Sequence, residues 1–61
     1  MSAPVLDRAK LAGGYRIMAP IYERISNDAN EPRDRRDWCA NKALEDAYVA
    51  GLIEADMKAH P

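Results

Sequence analysis

The feature that most constrains this chain is an unbroken run from Glu31 to Ala59 in which only Gly51 works against a helix. Four opposite-charge pairs spaced four residues apart fall on it: Glu31–Arg35, Arg33–Asp37, Lys42–Asp46 and Glu54–Lys58. Each such pair supports a helix by only about 0.2–0.5 kcal/mol, but all four agree. Asn30 is positioned to cap the run, and Pro32 suits a first turn, where a missing N–H costs nothing. The spacing predicts one helix over 31–59, and it takes nearly half of the 61 residues.

Placed at 100° per residue, that helix carries two apolar surfaces. One holds Leu44, Tyr48, Leu52 and Ala55, with Ala40 and Gly51 at its edge. The other holds Cys39, Val49, Ile53 and Met57, with Ala43 and Ala50 beside it. Glu45, Asp56 and Lys42 separate them on one side, Glu54 and Lys58 on the other. The remaining residues supply only short helices, enough to cover one surface. The larger side chains of the Leu44–Tyr48–Leu52 surface are expected to form the internal core. Val49, Ile53 and Met57 are then left for another protein chain, a second copy or a larger complex.

The first half of the chain reads as a short helix over 3–12 and a middle helix over 15–27. Ser2 and Pro4 suit the start of the first, and Gly13–Gly14 its end. Ile17, Ile21 and Ile25 recur every fourth residue, beside Met18 and Tyr22, and predict the core-facing stripe of the middle helix. Pro20 either kinks that helix or opens it. A strand is disfavoured, because no second strand is present to pair with it. The polar run from Ser26 to Asn30 is a turn. The fold class is therefore all-α: two or three helices in a single domain over 1–61, forming a helical hairpin or small bundle.

Size and composition narrow the function. A chain this short buries only about 60% of its unfolded surface. Eleven alanines inflate a hydrophobic content of 48%, Phe is absent, and one cysteine excludes an internal disulfide. A partner is therefore expected to help stabilise it. A net charge of −1 gives no long-range attraction to nucleic acid or to a membrane surface. The sequence shows no apolar run of membrane-spanning length and no secretory signal pattern. The lone cysteine fits a cytoplasmic setting, or a virion or host cytoplasm if a phage encodes it. Richness in Ala, Arg and Asp points to a bacterial or phage source.

Catalytic chemistry finds little purchase. Cys39 lacks a base, since His60 lies about five helical turns away. The carboxylate pairs Glu45–Asp46 and Glu54/Asp56 have no cleft to enclose a substrate. No Glu-x-x-His metal pattern or phosphate-binding glycine loop occurs. The sequence thus gives no catalytic, cofactor or metal residue, and the chain is not expected to be an enzyme. The segment Arg33–Trp38 is the one cluster suited to nucleic acid, which makes a small nucleic-acid-binding regulator the alternative reading. Arginines there contact phosphate and Trp38 stacks on a base, but Glu31, Asp34 and Asp37 neutralise the charge. Arg35, Arg36 and Trp38 fit a protein interface better, where Arg and Trp are favoured anchors. The expected function is that of an accessory, adaptor, inhibitor or structural subunit in a protein assembly.

Overall fold

The computed structural model describes residues 6–61, so the expected cap at Ser2 and first-turn Pro4 lie outside the described residues. Two helices account for the architecture: α1, Arg8–Ser26, and α2, Arg33–Ala59. They pack side by side as an antiparallel hairpin, a slab of 48 × 27 × 14 Å. The chain is all-α, and among the described residues there is no strand.

The two N-terminal helices expected from the sequence are one. α1 begins later than expected, with Asp7 accepting from the Lys10 backbone N–H at 3.0 Å. It then runs through Gly13–Gly14 and Pro20 without a break. A helical glycine costs about 1 kcal/mol and an interior proline removes one backbone bond. Packing along the whole length of α2 outweighs both penalties, as tertiary contacts usually do for local propensity. A Cβ placed at Gly13 or Gly14 meets nothing within 4 Å. Gly13→Ala and Gly14→Ala should therefore each raise stability by about 0.5–1 kcal/mol. Urea unfolding followed by circular dichroism checks this, and a loss of stability would contradict it.

The expected turn is present. Ser26 Oγ donates to the Glu23 carbonyl at 2.7 Å, and the Asn30 N–H donates to Asp28 Oδ1 at 2.9 Å. α2 opens two residues later than expected, with Pro32 rather than Asn30 at its cap position. Proline disfavours helical geometry in the residue before it, which moves the start past Glu31.

The seam between the helices follows an alternating four- and three-residue spacing on both strands of the hairpin. α1 presents Arg8, Ala12, Tyr15, Ala19, Tyr22 and Ser26, all buried or half-buried. α2 presents Cys39, Ala43, Asp46, Ala50, Ile53 and Met57, likewise buried or half-buried. This is the periodicity of two helices packed nearly parallel in axis, knobs into holes. Alanine recurs at every second seam position of α1 except its end, and twice in α2. Small side chains let the backbones approach closely.

That seam reverses the expected use of the two α2 surfaces. The surface of Cys39, Ala50, Ile53 and Met57 faces α1, while Leu44, Tyr48 and Leu52 point away from it. Two ion pairs clamp the chosen surface from its flanks: Arg8 to Asp56 at 2.8 Å and Arg16 to Glu54 at 2.5 Å. Glu54 thus pairs with α1 rather than with Lys58 as its spacing suggested. The Arg16 guanidinium, hydrogen-bonded to it, holds the Glu54 carboxyl below its ordinary range. The isoleucine stripe of α1 is displaced too. Ile21 and Ile25 are half-buried beside the seam, and Ile17 is 65% exposed.

Candidate interaction face

Three large apolar side chains of α2 lie on its outer surface. Leu44 is 73% exposed, Tyr48 68% and Leu52 54%, and they follow one another at four-residue intervals. At 1.5 Å rise per residue they form a stripe about 12 Å long. Tyr48 stands about 200° around the helix from Ala50, the fully buried residue of the seam. The seam residues Ala12, Ala19, Cys39 and Ala50 are small, and among the described residues no large side chain is fully buried. On α2, three bulky apolar groups lie outside while the fully shielded apolar positions of the seam are small. An ordinary monomeric domain does the opposite.

Leu44 also stands at the rim of a shallow groove of about 380 Å³. Ala19 of α1 and Ala40, Ala43 and Ala47 of α2 floor it, and Glu23, Ser26 and Asn27 close one end. Groove and stripe together offer one helix a slot and a ridge, the elements that ridges-into-grooves packing uses.

A second surface surrounds Lys42. Its ammonium sits 3.6 Å from both Glu45 and Asp46, and about 6 Å from the rings of Tyr22 and Trp38. Those rings meet edge to face, 5.7 Å apart at 81°, an orientation favoured by their quadrupoles. Nearby Glu45, with smaller help from Asp46 and Tyr22, raises the Lys42 pKa against the opposing effect of desolvation. Asp46 is buried in the seam with one carboxylate oxygen lacking a hydrogen-bond donor. The open pocket beside it, about 360 Å³, is walled by Leu11, Tyr15, Met18 and Tyr22. Its only cation is Lys42, which the protein itself supplies.

The residues singled out from the sequence divide between these surfaces. Val49, Ile53 and Met57 are half-buried, and Ile53 and Met57 stand in the α1 seam rather than on a free face. The reason is the close helix approach that their alanine neighbours permit. Trp38 remains 56% exposed and borders the Lys42 cluster. Arg35 is tied to Glu31 at 3.1 Å, and Arg33 lies 3.9 Å from Asp37. Arg36 is half-buried, with its Nε lacking a partner. Cys39 is buried in the seam and His60 is exposed past the end of α2. Among the described residues no group of three or more His, Cys, Asp or Glu is placed to hold a metal ion. No helix among them is long and apolar enough to cross a membrane.

Compared with protein-family models, with curated proteins and with solved structures, the chain matches none.

Proposed function

We propose that this chain is a small helical interaction module, an accessory, adaptor, inhibitor or structural subunit of a larger protein assembly. The observation that carries the reading is the outward stripe Leu44–Tyr48–Leu52. Three large apolar side chains in a row on a free helix face, opposite the seam with α1, form a surface suited to a protein partner. Tyr48 at its centre is one of the residue types enriched among the anchors of such contacts. The stripe takes over the interface role that the sequence assigned to Val49, Ile53 and Met57. Trp38, with Arg35 and Arg36, extends the surface at the start of α2. No catalytic or cofactor role enters this reading, and a single buried thiol fits a reducing cytoplasm.

Sedimentation of the fluorescently labelled chain in native cell extract tests it. The wild type should sediment faster than a 6.8 kDa chain, and Leu52→Asp should sediment at the rate of the free chain. A free-chain rate for the wild type, or an unchanged complex with the variant, would contradict the reading.

A further inference from the structure

We infer that the occupant of the α2 stripe is a second copy of this chain, its α2 lying antiparallel to the first about a two-fold axis beside Tyr48. The inference rests on the reading of that stripe as an interface and names its partner.

Three observations point to a copy. First, the stripe is palindromic. Leu44 and Leu52 each stand four residues from Tyr48, so a two-fold axis there sets Tyr48 beside its mate and Leu44 against the partner's Leu52. An isologous contact of this kind needs a surface complementary to itself. Second, two copies of α2 laid antiparallel oppose their helix dipoles, whereas a parallel pair aligns them. Third, a lone hairpin is a single layer 14 Å thick in which, among the described residues, no large side chain is fully buried. Folded domains bury their apolar faces between packed elements, and a second hairpin against α2 gives Leu44, Tyr48 and Leu52 that burial.

Sedimentation equilibrium of the purified chain over a range of micromolar concentrations tests the association. Twice the chain mass and a thermal midpoint that rises with concentration are expected. Tyr48→Glu, which brings two carboxylates together at the axis, should weaken the dimer by about 10–100-fold.

Cysteine substitutions then test direction without relying on that variant's folding. Tyr48→Cys should cross-link to itself. Leu44→Cys should cross-link with Leu52→Cys in a mixture but not with itself, because the two copies of residue 44 stand about 12 Å apart, beyond disulfide reach. Cys39, buried in the seam, stays out of the exchange. A purified chain that remains monomeric, or a Leu44→Cys chain that pairs with itself, overturns the inference. A chain monomeric when pure yet part of a larger species in extract overturns the second copy alone. One that is monomeric in both overturns the interaction reading as well.

Discussion

Replacing Ala50 with leucine should lower the thermal midpoint of the hairpin by about 5–20 °C, read by far-UV circular dichroism. Ala50 has no exposed surface and sits at the middle of the α2 seam. Leucine adds three carbons where the backbones of two helices approach. Overpacking of this kind costs about 1–3 kcal/mol. In a domain of this length each kcal/mol shifts the midpoint by about 4–8 °C. The cost is a large share of the total, since stability runs near 0.05–0.15 kcal/mol per residue. A midpoint unchanged by Ala50→Leu would mean that the helices do not meet along this line.

The second large effect separates two neighbours in the sequence. Ile53→Asp should unfold the hairpin, whereas Leu52→Asp should leave its helical content and urea midpoint close to wild type at low concentration. Ile53 is half-buried in the seam, one position along from Ala50 in the spacing that faces α1. A carboxylate there loses the isoleucine packing and is half-buried in the seam, a loss of several kcal/mol. Leu52 is more than half exposed, so aspartate at that position stays in water. The outcome reverses what the residue sizes alone suggest. Equal destabilisation by both substitutions would place Leu52 in a core and remove the free face.

Much of the fold was readable from residues alone, and the exceptions share a cause. The long helix, the polar turn and the two-sided character of α2 follow from periodicity and from the absence of breakers over Arg33–Ala59. Gly13–Gly14 was misleading because a local penalty of about 1 kcal/mol per glycine is set against packing along the entire seam, which propensity does not register. The choice between the two α2 surfaces was lost for a related reason. Apolar bulk favours Leu44, Tyr48 and Leu52 as core, but close helix contact selects small side chains.

One available signal was the heptad-like recurrence of Ala12 and Ala19 in register with Cys39, Ala43 and Ala50. The other was the charge pair formed by Glu54 and Asp56, which matches Arg16 and Arg8 across the hairpin. The expected interface residues accordingly shift from Val49, Ile53 and Met57 to the opposite side of the same helix. Asp46 carried no such signal, because its burial depends on where α1 lies.

The central claim is that the outer stripe of α2 is covered when the protein is at work, and the reactivity of Tyr48 measures this directly. Hydroxyl-radical footprinting read by mass spectrometry compares each tyrosine in the dilute purified chain and in native cell extract. Tyr48 should be modified readily in the dilute chain and strongly protected in extract, while Tyr15 and Tyr22, half-buried in the seam, change little. Equal modification of Tyr48 in both conditions would show that nothing covers the stripe and would contradict the account.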